Sequence, residues 1–291
     1  MDANLPSTFF AVENSLVIMS PNAPMRALRN NGDWWPDTTC NASGSTQNVP
    51  IPDGYLVPAP PSGGDGTLPN RTGGVLLADG TTIQEFQYAT RCQSTGPLTV
   101  GAVRCSHSIY GSGLCGFAAH GGSGLSGVGG VLRNHETTGS DPIRHAFKLT
   151  LPVETLSGCS GGYRWPAVAA DWGYDDPGHG SWYSGNVCAL RMGSLLAVPP
   201  SVNCQTRVSS ALARRICVAL QDYGAYVVDT GPQGWNPMVL IGDWGTADAL
   251  NNIDDQLVTL FTDLQVVNNN SSNNVGGGGT LRAPLAPPIT D

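Results

Sequence analysis

A chain with 38 glycines and 22 prolines among 291 residues cannot sustain long helices. Glycine inside a helix costs roughly 1 kcal/mol against alanine and proline about 3. Backbone punctuated this densely favours many short strands joined by turns. Apolar residues still make up 40% of the chain, enough for a sizeable core, while charged residues make up only 12%. A large sandwich or barrel can absorb such a length in one unit. The expected architecture is therefore mainly β, a jelly-roll-like β-sandwich with two peripheral amphipathic helices near the C-terminus.

Residues 1–8 read as a disordered lead-in, residues 9–267 as a single β-rich domain, and residues 268–291 as a flexible Asn/Ser/Gly/Pro tail. The clearest strand pair is 74–78 with 81–88, joined at Asp79-Gly80, where both turn positions tolerate positive φ. Ile83 and Phe86 break strict alternation, which points to a bulge. Further strands are expected at 98–104, 146–151, 195–198, 225–228 and 238–241. Helices are expected at 206–223, with Val208, Leu212, Ile216 and Leu220 on one face, and at 247–264, with Leu250, Ile253, Leu257, Leu260, Phe261 and Leu264.

The eight cysteines are widely spaced and none form a C-x-x-C pair, so disulfides are a better reading than a metal site. Closeness along the chain suggests Cys92 with Cys105 or Cys115, and Cys204 with Cys188 or Cys159. Sequons at Asn41, Asn70 and Asn270 fit a glycosylated, secreted protein. The N-terminus shows no basic and then apolar leader, so any signal peptide would already be absent. A net charge of −8 with 14 basic residues leaves no stripe to neutralise nucleic-acid phosphates or an anionic membrane. The sequence does not speak to oligomeric state.

Three segments concentrate chemistry. Residues 119–130 place six glycines around His120, Ser123 and Ser126, a backbone that another group can approach closely. Residues 133–145 gather Arg133, His135, Glu136, Asp141, Arg144 and His145 in a charge-poor chain, with His145 suited to acid–base work beside Glu136. Residues 163–183 interleave Trp165, Trp172, Trp182 and Tyr183 with Asp171, Asp175, Asp176 and His179. Flat apolar rings beside polar groups suit sugars. The three aspartates also offer oxygens for a structural Ca²⁺, at a spacing unlike an EF-hand loop, and nothing in the sequence requires a cofactor.

The stretches 119–126, 142–148, 163–167 with Asp171, 189–201 and 221–229 give the chain a resemblance to a widespread group of secreted microbial proteins. The resemblance spans roughly residues 9–245. That group carries no established activity, so it implies none here.

The residues point to a secreted enzyme that cleaves glycosidic bonds of an extracellular polysaccharide. Hydrolysis by Glu136 and Asp171 is favoured over β-elimination, in which His120 or His145 would act with Tyr183 or Tyr223 and Arg144 or Arg191 would neutralise a uronate. Glu136, His145 and Asp171 are expected to converge on one cleft walled by Trp172 or Trp182, with Trp165, Tyr183 and Arg191 as further substrate-binding candidates. The alternative is a non-catalytic glycan-binding or extracellular structural protein.

Overall fold

The computed structural model describes residues 10–32, 44, 46–58, 71–231 and 238–287. Cys40, Asn41, Asn70 and the lead-in lie outside them. The chain divides into two compact units, where the sequence predicts one. The N-terminal unit holds residues 14–120 and 125–129. The C-terminal unit holds 121–124 and 130–287, together with the chain up to Glu13.

The N-terminal unit is built from β1 (Phe10–Ile18, shared with the other unit), β2 (Met25–Asn30), β3 (Thr46–Pro50), β4 (Gly73–Leu76), β5 (Thr82–Thr90) and β6 (Leu98–Ser108). They hydrogen-bond in the order β1-β4-β5-β6-β2-β3. The pairs β1–β4 and β2–β6 are parallel. That departs from the antiparallel jelly roll, whose hairpin logic does not produce parallel neighbours. The β4–β5 hairpin turns where the sequence indicates. Gly80 takes φ +68°, and Asp79 Oδ1 accepts from the amides of Thr81 and Thr82 at 2.8 Å each. Hydrogen bonds at this turn, led by that of Thr82, hold the Asp79 carboxyl down at about 2. The expected bulge is present, since the β5–β6 register shifts between Gln84 and Phe86. The Gln84 side chain bridges the gap, donating to Arg104 O and accepting from Ser106.

β5 also carries Glu85, which is fully buried. Its carboxylate accepts from the amides of Ala119 at 2.9 Å and Gly127 at 3.0 Å and from the Ser126 hydroxyl, and it pairs with His107 Nε2 at 2.8 Å. A buried carboxylate is tolerated only when its lone pairs are filled in this way. The Glu85 hydrogen bond, working against burial, raises the His107 pKa. The resulting stabilisation is complete below the ordinary histidine value and is lost as pH rises through the raised one. We therefore expect thermal stability to fall more between about pH 6 and about pH 9 in the native protein than in His107→Gln. Equal losses in melts of the two proteins would refute this.

The C-terminal unit contains α1 (Asn134–Thr138), β7 (Phe147–Pro152), β8 (Leu195–Ala197), α2 (Cys204–Arg207), α3 (Ala211–Asp222), β9 (Ala225–Gly231), β10 (Met238–Asp243), α4 (Ala247–Asn251), α5 (Asp254–Thr262) and β11 (Gln265–Val266). Its strand order is β11-β8-β9-β7-β10, with β7 and β9 parallel and the other pairs antiparallel. Each expected helix is broken in two, by non-helical backbone at Val208 and at Ile253. The expected apolar faces are buried nonetheless: Leu212, Ile216, Leu220, Leu250, Leu257, Leu260 and Phe261 join Phe147, Leu149 and Val227 in one core. Strand residues outnumber helical ones over the described residues as a whole, and no helix among them is long and apolar enough to cross a membrane.

Three disulfides are formed among the described residues, Cys105–Cys115, Cys159–Cys188 and Cys204–Cys217, and Cys92 is bonded as well. This framework fits an oxidising compartment. Both pairings suggested by chain proximity are replaced. Cys204 instead bridges α2 to the inner face of α3, where Cys217 is fully buried.

The tail is the largest correction. Arg164 donates to the carbonyls of Asn268 and Asn270, Tyr223 donates to Ala283 O, Arg282 pairs with Asp222 at 2.8 Å, and Ala286 N reaches Arg144 O. Asn270 is buried and accepts from Tyr226 and Gly276, so its sequon has no room for a glycan. Polar composition hides these bonds because they are made between tail residues and distant parts of the chain. Truncation after Val267 removes them all and should lower the melting temperature by about 5 °C or more, a loss of roughly 2 kcal/mol in a unit of this size. An unchanged melt would show the docking to be of no consequence.

Candidate active site

The parallel strand β9 runs Ala225, Val227 and Val228 through the core and ends on Asp229, Thr230 and Gly231. Asp229 is 5% exposed. Asp171, half-buried in the loop that follows Ala170, lies close enough to raise the Asp229 pKa. Asp171 Oδ2 accepts from the Tyr183 phenol at 2.7 Å and from the Thr230 hydroxyl at 2.7 Å. Asp229 Oδ1 accepts from Thr230 N at 2.9 Å, and Gly122 N also donates to this carboxyl.

The glycine-rich run explains how backbone reaches this pair. A Cβ on Gly121 would lie 2.1 Å from the Asp229 carboxyl carbon, and one on Gly122 would lie 2.3 Å from Asp171 Oδ1. Gly121 also takes φ +44°. Only glycine allows main chain to be laid directly on two carboxyls. Val168 N donates to Ser123 O and Ser123 N to Val228 O, which fixes the segment.

Burial pushes both carboxyls up. Asp229 rises well above the usual carboxylate range, first through burial and then through the charges of Asp171 and Glu13. Asp171 also rises through burial, but the Tyr183 and Thr230 hydrogen bonds oppose this by favouring its ionised form. Burial, followed by the charge on Asp171, raises the Tyr183 phenol, which stays protonated as a donor. Burial thus disfavours the ionised form at both carboxyls, and the neighbouring charges add to this at Asp229.

Trp172, next to Asp171 in the chain, is 84% exposed, and its ring meets that of His179 edge-on at 4.6 Å. The loop beneath is tied internally: Tyr174 N to Asp171 O, Asp176 N to Gly173 O, His179 N to Asp176 O, and Tyr183 N to Tyr174 O. His179 Nδ1 accepts from Ser181 N.

The other expected site residues are arranged differently. Glu136 and His145 do meet, at 3.0 Å. However, Glu136 also accepts from Arg133 N at the start of α1, and His145 Nδ1 bonds Ala146 O. Arg215 ties the same helix through Glu136 O and Asp141 O. Burial raises the Glu136 carboxyl, but the His145 bond and charge outweigh it and leave the carboxyl lowered. This cluster fastens a short helix, and its hydrogen bonds share no member with those of Asp171. Among the hydrogen bonds of the described residues, none joins Glu136 or His145 to Asp171.

His120 is buried in the N-terminal unit, its Nδ1 bonded to Thr72. Arg144 receives the tail at its carbonyl, and Arg191 donates to Cys159 O. Trp165 and Trp182 are half-buried, and Tyr183 is buried as a partner of Asp171 rather than a free surface. Tyr223, the other phenol considered for elimination, is taken by Ala283 O. Among the described residues, Asp171, Asp175 and Asp176 do not come together as a Ca²⁺ group.

Sequence reasoning missed Asp229 and Thr230. The available signal was an aspartate closing an apolar strand just before glycine, since functional groups gather at the carboxyl ends of parallel strands. No protein-family model matches the chain, and neither a curated protein nor a solved structure matches it.

Proposed function

We propose that the protein is a secreted glycoside hydrolase acting on an extracellular polysaccharide, with Asp171 and Asp229 as its acid–base pair. The observation that carries this reading is the asymmetric environment of the two carboxyls. Asp229 is deeply buried with its pKa raised furthest, and Asp171 is part-exposed and accepts from Tyr183 and Thr230, bonds that favour its ionised form against burial. Glycosidic cleavage requires such a division, with an acid for the leaving oxygen and a carboxylate that activates water or attacks carbon. In this reading Asp229 delivers its proton to the departing oxygen. Asp171 serves the anomeric centre, and the Tyr183 and Thr230 bonds keep its reactive oxygen in place. β-Elimination is less well served, because His120 bonds Thr72, His145 pairs with Glu136, Tyr223 donates to Ala283 O and Tyr183 donates to Asp171 itself.

The exposed indole of Trp172 also favours a second reading, a glycan-binding module without chemistry. A panel of polysaccharides separates the two. Release of reducing ends without ultraviolet-absorbing unsaturated products supports hydrolysis, unsaturated products support a lyase, and retention without cleavage supports the binding module.

A further inference from the structure

We infer that Trp172 is the stacking floor of a sugar subsite beside the cleavage point, and that the glycan it takes is neutral. This inference rests on the glycosidase reading above. An indole that is 84% exposed is far outside what folding requires, because aromatic rings are normally among the largest contributors of buried area. It is not a floppy side chain at a loop tip. The main-chain bonds among Asp171, Gly173, Tyr174, Asp176, His179 and Tyr183 fix the loop, and the edge-on contact with His179 occupies at most one indole face. Gly173, at φ +82°, leaves room for that imidazole, since a Cβ there would stand 2.3 Å from its ring. The other face is held ready, which reduces the ordering cost of binding.

Position and charge set the ligand class. Consecutive Cα atoms are about 3.8 Å apart, so a floor on residue 172 lies within roughly one or two sugar rings of the Asp171 carboxyl. The flat C–H face of a pyranose with equatorial hydroxyls complements an indole face. Across residues 171–183 the ionisable side chains are Asp171, Tyr174, Asp175, Asp176, His179 and Tyr183, with neither lysine nor arginine. Asp175 and Asp176 are exposed. A uronate or sulfated chain laid along this loop would meet the carboxylates of Asp175 and Asp176, and the segment itself carries no lysine or arginine to offset them.

The test uses the full chain carrying Asp171→Asn, which holds substrate uncleaved, and measures binding to a soluble neutral β-glucan and to polygalacturonate. We expect the added Trp172→Ala change to weaken β-glucan binding about tenfold, with Trp172→Phe intermediate. Polygalacturonate should bind at least about tenfold more weakly than the glucan. Thermal melts will show that these surface changes leave the fold intact. Unaltered binding in Trp172→Ala, or a preference for polygalacturonate, overturns the inference. If the unsubstituted protein cleaves the glucan while Trp172→Ala binds it normally, the inference falls and the hydrolase reading stands. Trp172-dependent binding without cleavage by the unsubstituted protein keeps the stacking floor and removes the hydrolase, and neither binding nor cleavage of any neutral glycan sinks both.

Discussion

Asp171→Asn and Asp229→Asn should each lower glycosidic cleavage by at least about a hundredfold, the usual scale for losing acid–base assistance. The two variants should differ in other respects. Asparagine at 229 is close in shape to the carboxyl, and it removes the cost of keeping a carboxyl beside the charges of Asp171 and Glu13 in a buried site. Asp229→Asn should therefore melt at or above the native temperature while being inactive. Asparagine at 171 can still accept from Tyr183 and Thr230 through its amide oxygen, so the loop should stay folded while the ionised group is lost. Steady-state rates and melting curves on the same preparations check both claims. Full activity in either variant would remove that residue from the chemistry.

Glu85→Ala is expected to have the largest effect on stability, about 3–5 kcal/mol, the range seen when one partner of a buried charged network is deleted. The substitution strands the amides of Ala119 and Gly127 and the Ser126 hydroxyl, and leaves His107 without its carboxylate. Glu85→Gln keeps one acceptor oxygen and should cost distinctly less. Denaturant titration of the three proteins measures the difference, and a loss under about 1 kcal/mol in Glu85→Ala would mean the network is not holding the N-terminal unit together.

Local chemistry is legible in the sequence wherever it alone decides the structure. Asp79-Gly80 makes its turn because the aspartate and glycine satisfy it without outside help. The apolar spacing at Leu212, Ile216 and Leu220 finds its face of α3 because helix period and burial agree. The parallel pairs β1–β4, β2–β6 and β7–β9 are not legible, because parallel partners are joined by long crossovers that leave no local mark. The docked tail is hidden for a related reason, since Arg164 and Tyr223 meet it from far away in the chain and its own Arg282 binds far back.

The candidate site divides along the same line. Asp171 and Trp172 stand out within an aromatic, acidic segment, and the glycine run marks a place of close backbone approach. What it approaches is Asp229 and Asp171. Glu136 and His145 pair as expected, but their pairing fastens α1. Asp229 escapes notice because a single aspartate after an apolar run looks like the polar end of a strand. Only its tertiary neighbours give it a role.

The proposed hydrolysis requires Asp229 to hold its proton at neutral pH while Asp171 is ionised. Infrared difference spectroscopy measures that proton directly, through the carbonyl band of a protonated carboxylic acid. The native protein should show this band at neutral pH, and Asp229→Asn should lose it. Absence of the band from the native protein, or its persistence in Asp229→Asn, would contradict the assignment.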